Sequence, residues 1–287
     1  MAVISKILFP VDFSPSCIAM SGYVKRAATL FGAKVSLAHV VDLMSHNALE
    51  LYVRPAPDIS EEHLEIGQEK LNSFLTREFP VRDCPRLLAF GDAATEIAKM
   101  AKEERFDLII MPTHAGKYRH MLLGSTTSKV LNDADCPVLT SQHAETISPR
   151  PLAHREILCA IDLSPHSKRV LRFASEIAKE AQVKLTIIHA VKARKPLPAD
   201  PALDGVYQLT EERAARRRIG ELQRAMGADA AVRIVAGDAK GALLEAVLQS
   251  DADVLMMGRS PQSGAFGRMR DLTYAIARDS PYPVLSI

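Results

Sequence analysis

Short apolar runs alternate with longer amphipathic stretches along the whole chain. The run Leu108-Ile109-Ile110-Met111 contains only apolar residues, which is typical of a strand buried on both faces of a sheet. The stretches between such runs are long enough for helices and mix apolar with charged positions. The pattern predicts strands at 5–11, 34–41, 84–90, 106–112, 136–141, 156–161, 183–190, 231–236, 253–257 and 282–286, and helices at 15–31, 60–79, 93–104, 125–134, 165–181, 208–226, 239–250 and 270–279.

Local signals set several of these bounds. Ser14 and Ser164 each precede a proline, which predicts an N-cap hydroxyl followed by a favoured first helical residue. Gly32 and Gly227 stand where two of the helices are expected to end. Two proline-rich segments are predicted to be long crossover loops, 53–58 and 195–201.

The chain also repeats itself. The segment Lys6–Pro15 returns as Glu156–Pro165, 150 residues later, with an aspartate and a serine at matching places. The pair Gly91-Asp92 returns 146 residues later as Gly237-Asp238. Several anchors in one order indicate a tandem duplication. The predicted organisation is domain 1 at 1–145, a linker at 146–153 and domain 2 at 154–287.

Strands that alternate with helices predict right-handed βαβ crossovers. The expected fold class is therefore α/β, with two tandem doubly wound domains, each a five-stranded parallel sheet flanked by helices. Ligands of such sheets bind at the carboxyl ends of the strands, where the strand order reverses. Asp12 and Asp162 occupy that edge in their halves. Each carboxylate either accepts a hydrogen bond from a ligand or braces the turn through backbone N–H groups, and position alone leaves both alternatives open.

Composition and charge narrow the class of protein. Hydrophobic residues make up 47% of the 287 residues and charged residues 24%, which excludes a disordered chain and a disulfide-dense scaffold. A net charge of +2 makes nucleic acid an unlikely partner, and the charged stretch Glu211–Arg218 is more typical of a solvated helical face. The longest run without charged residues, Phe13–Val24, is shorter than the roughly 20 residues of a spanning helix. We expect a cytoplasmic protein without a membrane segment.

Motifs for catalysis or metal binding are not found in the sequence. The four cysteines have no metal-type spacing, and a lone histidine in an apolar run, such as His39 or His189, is typical of the core. No G-x-S-x-G elbow, complete Walker A or G-x-G-x-x-G motif is present. The sequence therefore predicts no catalytic residues and no metal.

The segment after the fourth strand of the first half, Met111–Thr126, completes a set of features that resembles the universal stress protein family in its tandem two-domain form. The set also includes the aspartate-x-serine after the first strand, the histidine of the second strand, the glycine turns and the final Cys136–Leu139 strand. The resemblance covers nearly the whole chain. It implies a Rossmann-like, adenine-nucleotide-hydrolase-like fold and a protein that acts in the stress response.

The resemblance also implies an ATP site, because nucleotide-binding members carry Gly-x2-Gly-x9-Gly-(Ser/Thr) after the fourth strand. Backbone N–H groups and a helix N-terminus there bind phosphate. In domain 1 the leading glycine is replaced by Pro112, and in domain 2 Asp271 replaces the closing serine. The implied cofactor-binding residues are Asp12, Ser14, Val40, Pro112, His114, Gly116, Gly124, Ser125 and Thr126 in domain 1, and Asp162 and Gly258 in domain 2.

Basic residues in both phosphate-side loops leave two interpretations open. Their cations either replace the lost backbone donors at a phosphate or belong to solvated loops. The residues concerned are Lys117, Arg119, His120, Arg259, Arg268 and Arg270.

Three hypotheses for the function follow. The first is a non-catalytic stress protein that binds an adenine nucleotide in domain 1, with a degenerate site in domain 2. The second is a scaffold for unknown protein partners that has lost nucleotide binding, and the third is an ATP-hydrolysing switch. The resemblance further implies that the two domains pair as a pseudo-dimer along their last strands, and it leaves a homodimer of two chains open.

Overall fold

The computed structural model of the chain describes residues 3–42, 56–113, 123–142, 156–193, 201–250, 252–259 and 272–287. The chain divides into two units, Met1–Pro149 and Arg150–Ile287, here called domain 1 and domain 2. This division falls inside the predicted linker 146–153, which itself lies outside the described residues.

Domain 1 alternates strands and helices as the hydrophobic pattern predicts. Its elements are β1 (Lys6–Pro10), α1 (Pro15–Phe31), β2 (Lys34–Val41), α2 (Ala56–Ser73), β3 (Arg86–Phe90), α3 (Ala93–Glu103), β4 (Leu108–Pro112), α4 (Ser125–Asp133) and β5 (Val138–Ser141). The strands pair in parallel in the order β3-β2-β1-β4-β5.

Domain 2 repeats this architecture. Its elements are β6 (Glu156–Ala160), α5 (Ser167–Ala181), β7 (Lys184–Val191), α6 (Pro201–Met226), β8 (Ala231–Ala236), α7 (Ala239–Leu248), β9 (Val254–Met257), α8 (Leu272–Asp279) and β10 (Val284–Ser286). The strand order is β8-β7-β6-β9-β10, again with parallel pairs. The predicted α/β fold, with two doubly wound Rossmann-like domains, is confirmed.

The central strands are apolar because they are covered on both faces. Ile7, Leu8 and Phe9 of β1 are completely buried, and so are Ile109 and Ile110 of the neighbouring β4. Right-handed crossovers put α1 and α2 on one face of the domain 1 sheet and α3 and α4 on the other, where α3 and α4 pack together. The carboxyl ends of the strands remain at one edge of the sheet, where doubly wound folds bind their ligands.

Two of the predicted helix bounds are wrong for the same reason. The helices α2 and α6 begin at Ala56 and Pro201, several residues before the predicted positions 60 and 208. Proline is accepted in the first turn of a helix because the first N–H groups have no partner within the helix. The proline-rich segments 53–58 and 195–201 are therefore not loops over their whole length.

The end of α2 also differs from the predicted position 79. Leu75 has a φ of 51°, and the chain continues through turns to Phe79. The apolar pattern of the sequence continues to Phe79, beyond the end of the helix, because the Phe79 ring is part of the core. It packs edge-on against Phe9, with the ring centres 6.2 Å apart.

Predicted caps are confirmed in three cases and wrong in one. The Ser14 hydroxyl accepts a hydrogen bond from the N–H of Cys17, and Gly32 and Gly227 adopt the left-handed conformation beyond α1 and α6. Ser164 does not cap a helix, since α5 begins only at Ser167. Its carbonyl instead accepts from the N–H of Ser167 at 3.0 Å, which closes a turn before the helix begins.

Candidate functional site

The two sheets each have a point where the strand order reverses, between β1 and β4 in domain 1 and between β6 and β9 in domain 2. Asp12 follows β1, Val40 lies near the end of β2, and Pro112 is the last residue of β4. These predicted site residues therefore share one edge of the domain 1 sheet, at the position where doubly wound folds bind ligands.

The turn after β1 is built on the carboxylate of Asp12. Its Oδ1 atom accepts hydrogen bonds from the backbone N–H of Ser14 and from the thiol of Cys17, each at 3.0 Å. Burial, followed by the charge of Asp12, raises the pKa of Cys17 to about 12, so the thiol keeps its proton and remains a donor. Within the described residues the other oxygen of Asp12, Oδ2, has no hydrogen-bond partner. The carboxylate thus braces the turn through one oxygen.

Domain 2 repeats this turn with a different donor. Asp162 Oδ1 accepts from the N–H of Ser164 and from the hydroxyl of Ser167, both at 2.9 Å, and Ser167 stands where domain 1 has Cys17. Burial opposes ionisation of Asp162, but the hydrogen bonds together outweigh it, so its pKa lies below the ordinary value. The donors at positions 17 and 167 were missed from the sequence, although both recur at the 150-residue offset.

The residue after each aspartate adopts an unusual backbone conformation. Phe13 has a φ of 65° and Leu163 a φ of 61°, although neither is glycine, asparagine or aspartate. Such a conformation costs of order 1–3 kcal/mol and occurs most often where a functional turn requires it. No sequence signal predicted it, because bulky residues are rarely left-handed.

The histidines of the second strands also hold this turn. His39 Nδ1 donates to the carbonyl of Val11 and His189 Nδ1 to that of Ile161, each at 2.8 Å. Since a carbonyl only accepts, both rings carry a hydrogen on Nδ1. Burial lowers the pKa of His39, which favours its neutral form. The prediction of partnered rather than metal-binding histidines agrees with these bonds, although both rings are only half-buried and not in the core.

The start of α4 faces the same edge of domain 1. Gly124 is its N-cap residue and forms no side-chain cap, and the N–H of Gly124 donates to the carbonyl of Thr113 after β4. The hydroxyl of Ser128 donates to the Gly124 carbonyl and therefore does not satisfy a first-turn N–H. The amides around Ser125 and Thr126 thus form a helix start that no described side chain caps, which is a favourable place for an anion.

Pro112 does not contribute to this edge as a donor. It is buried, has no N–H, and its carbonyl accepts a hydrogen bond from the hydroxyl of Thr127 at 3.0 Å. Thr273 makes the same bond to Gly258 in domain 2, at 2.9 Å. The sequence interpretation named the neighbouring Thr126 and missed this repeated threonine. His114 and Gly116 lie outside the described residues.

In domain 2 the corresponding residues line one cleft of about 350 Å³, here called the domain 2 cleft. Asp162 and Gly258 meet there with Ala190, the counterpart of Val40. The floor is apolar and includes Val170 and Met257. Gly258 packs tightly, because a Cβ atom on it would lie 2.9 Å from Cγ2 of Val170. This glycine is therefore required by the packing of the strand end against α5, whether or not a ligand binds.

Domain 1 also has an ion pair beside its site. Asp92 caps α3 by accepting from the N–H and hydroxyl of Thr95, and its other oxygen accepts from Nζ of Lys129 on α4 at 2.9 Å. Lys129 and then Thr95 lower the pKa of Asp92 to about 2. The pair joins the two helices on one face of the sheet.

We expect Lys129→Gln to lower the thermal midpoint of unfolding slightly at pH 7, since both side chains are exposed. The folded-state pKa of Asp92 is depressed, so the stabilisation is present above the ordinary pKa of 3.8 and is lost as the pH falls toward 2. Melting curves at a series of pH values measure this. The control is Lys25→Gln, which removes one exposed charge on α1. A difference between wild type and Lys129→Gln that persists unchanged at pH 2 would contradict the assignment.

Within the described segments, no group of three or more histidine, cysteine, aspartate or glutamate residues has the geometry to hold a metal ion. The same segments contain no helix with the length and apolar character needed to cross a membrane.

Known proteins resemble this chain over about half of its length or over nearly all of it. The chain is 31% identical over 155 residues to "Universal stress protein MJ0577" of Methanocaldococcus jannaschii, covering 47% of this chain and 92% of that protein. A solved universal stress protein from Archaeoglobus fulgidus matches with a TM-score of 0.70 and 23% identity, over 98% of this chain and 95% of that one. A "functionally unknown protein PA1789" from Pseudomonas aeruginosa matches with a TM-score of 0.64 and 20% identity, over 99% and 92%. The two structures support the fold alone.

The family model described as "Universal stress protein family" matches this chain twice, at residues 4–141 and 154–287. The two matches follow the internal repeat and together cover nearly the whole sequence. The chain therefore belongs to the universal stress protein family, as a tandem two-domain member.

Proposed function

We propose that this universal stress protein acts without catalysis, by binding an adenine nucleotide, ATP, at the carboxyl edge of domain 1. The observation that carries the proposal is the start of α4, where no described side chain caps the first-turn amides. Those amides and the positive end of the helix dipole attract phosphate. The helix starts after β4, the strand next to β1, so the phosphate position and Asp12 lie at adjacent strand ends.

The turn at Asp12 supports the ribose end of this site. The bonds from Ser14 and Cys17 hold the carboxylate through Oδ1, and Oδ2 has no partner within the described part of the chain. A fixed carboxylate oxygen accepts a hydrogen bond from a sugar hydroxyl without first having to be ordered. The half-buried Val40 presents backbone groups at the neighbouring strand end for the base.

We expect Mg-ATP to release heat on binding to the full chain in a calorimeter, and Asp12→Ala to weaken that binding about tenfold or more, the usual effect of losing a hydrogen bond to a charged group. The matched control is Asp162→Ala, which removes the equivalent carboxylate of domain 2 and should leave ATP affinity unchanged. Equal ATP affinity in wild type and Asp12→Ala would remove the proposed site.

A second function is favoured by Pro112. This residue stands at the leading glycine of the family motif, has no N–H to offer and has its carbonyl occupied by Thr127. A chain that has lost nucleotide binding would act as a scaffold for protein partners. It would show no thermal shift with ATP and release no nucleotide when freshly purified protein is denatured in acid.

ATP turnover that disappears in Ser125→Ala would instead indicate a hydrolysing switch. Dimer formation and a cytoplasmic location stay predictions.

A further inference from the structure

The helices α2 and α6 occupy the same place in the two domains. Each follows the second strand of its domain and packs on the second and third strands. Leu71 of α2 and Ile219 of α6, 148 residues apart, are both completely buried. That offset therefore aligns the two helices and identifies which of their outward positions correspond.

Opposite charges stand at matching outward positions of these two helices. Exposed side chains one helical turn apart carry two negative charges on α2 and two positive charges on α6. The acidic face consists of Glu65 and Glu69, and the basic face consists of the residues 148 positions later, Arg213 and Arg217. The two copies of the repeat thus keep the buried side of the helix and reverse the charge of its outward side.

Neither face is neutralised within the described part of the chain. Like charges four residues apart on a helix repel each other and weaken it slightly. Among the described residues, Glu65, Glu69 and Arg213 have no ion-pair partner. Arg217 meets Glu221 with 4.0 Å between Nε and Oε1, and both side chains are well exposed. A surface of the opposite sign would relieve the repulsion within each face.

The arginines beside the basic face have tasks within domain 2 itself. Arg216 and Arg218 donate to backbone carbonyls, one in β8 and one in the turn after β6, at 3.3 and 3.2 Å. The corresponding residues of α2 are Gln68 and Lys70, neither of which is acidic. Within the described parts of these helices, the reversal of charge is therefore confined to the two faces.

We propose that a second copy of this chain is the partner of both faces, with α2 of one copy lying against α6 of another. A single chain carries both halves of a complementary pair, and such complementarity steers encounter and selects the partner. The spacing of one turn is the same on both helices, so each glutamate can meet one arginine when the helices lie side by side. A net charge of only +2 leaves little overall repulsion between copies.

The contact is expected to be weak and sensitive to salt. Ion pairs between exposed side chains stabilise only slightly and are screened by dissolved ions. Leu209 lies one turn before Arg213 on α6 and is 54% exposed, so it adds apolar surface beside the basic face. Self-association should therefore be seen at high protein concentration and low ionic strength.

Sedimentation velocity of the full chain over a series of concentrations measures this association. We expect the average mass to rise with concentration in about 0.02 M salt, and the association to weaken at least about tenfold in about 0.5 M salt. Two double variants should each abolish the salt-dependent part, because a face then meets its own sign. They are the acidic-face reversal, Glu65→Arg with Glu69→Arg, and the basic-face reversal, Arg213→Glu with Arg217→Glu.

The matched control changes the charge by the same amount on another helix. Lys168 and Arg172 form an exposed basic pair, also four residues apart, on α5. Their counterparts on α1, 150 residues earlier, are Ile18 and Gly22, so this pair has no acidic complement in the repeat. Lys168→Glu with Arg172→Glu should leave the self-association unchanged.

Mixing the two reversals tests the identity of the partner. Both helices are basic in the acidic-face reversal and acidic in the basic-face reversal. Neither variant should associate alone at low salt, whereas an equimolar mixture should associate about as well as wild type, which also shows that both variants are folded. A wild type without salt-dependent self-association, an equal loss in the control, or a mixture that stays dissociated would each overturn the proposal. ATP binding does not involve these faces, so the two proposals can fail separately.

Discussion

Replacement of Phe9 by alanine is expected to lower the free energy of unfolding of domain 1 by about 3–5 kcal/mol, the usual cost of deleting a large core side chain. Phe9 lies in β1, the strand between β2 and β4, and is completely buried. Its ring contacts Phe79 edge-on at 6.2 Å between ring centres. Deleting the ring removes this contact and leaves a cavity in the core of domain 1.

Amide hydrogen exchange measured by mass spectrometry can assign this loss to one domain. The amides of β1 and β2 should exchange faster in Phe9→Ala, whereas those of domain 2 should exchange as in wild type. The control is Cys159→Ala, because Cys159 is the completely buried counterpart of Phe9 in β6. It loses a single heavy atom and should cost about 1 kcal/mol. Equal losses in the two variants would contradict this account of the core.

The fold was predictable because its main signals are local and occur twice. Strand bounds agree with the structure to within about two residues, since buried parallel strands require continuous apolar runs such as Ile7–Phe9. The repeat then gave a second, independent copy of every element. The helix caps at Ser14 and Gly32 were predictable for the same reason, because a capping residue acts on its immediate neighbours.

The wrong predictions of helix bounds and backbone conformation come from specific contacts. These contacts either join residues that are distant in the sequence or override the conformation that the local sequence favours. Ser164 followed by proline has the sequence of an N-cap, but its carbonyl accepts from the N–H of Ser167 in a separate turn, and the helix begins only at Ser167. Phe13 and Leu163 are left-handed because the bonds to the adjacent aspartates and histidines fix both ends of the turn. No propensity scale contains these constraints.

The candidate site was predicted in position but not in detail. The aspartates and the helix start lie at the expected edge of each sheet. The roles of Pro112 and Gly258 differ from those of a phosphate-binding glycine, since one is buried with its carbonyl occupied and the other packs against Val170. A motif comparison records only whether the expected residue is present at each position. The structure adds that Gly258 is needed for close packing against Val170.

Gly258→Ala is expected to destabilise domain 2 by about 1–3 kcal/mol, the usual cost of overpacking a well-filled core. The φ angle of Gly258 lies outside the left-handed range, so alanine can adopt its backbone conformation and the cost is steric. The added methyl group would lie 2.9 Å from Cγ2 of Val170, a buried side chain with one strongly preferred rotamer in its helix. Urea denaturation followed by circular dichroism measures the loss.

Removing the opposing methyl groups tests whether Val170 causes that cost. Val170→Ala alone should destabilise by about 1–3 kcal/mol through the cavity it leaves. In the double variant the two changes should compensate by at least about 1 kcal/mol, because the new methyl group occupies space vacated by the valine. Gly220→Ala in α6 is the matched control, since a Cβ there meets nothing within 4 Å and alanine should stabilise the helix by about 0.5–1 kcal/mol. Strictly additive losses at positions 258 and 170 would show that packing does not explain the glycine, and would leave close approach of a ligand as its reason.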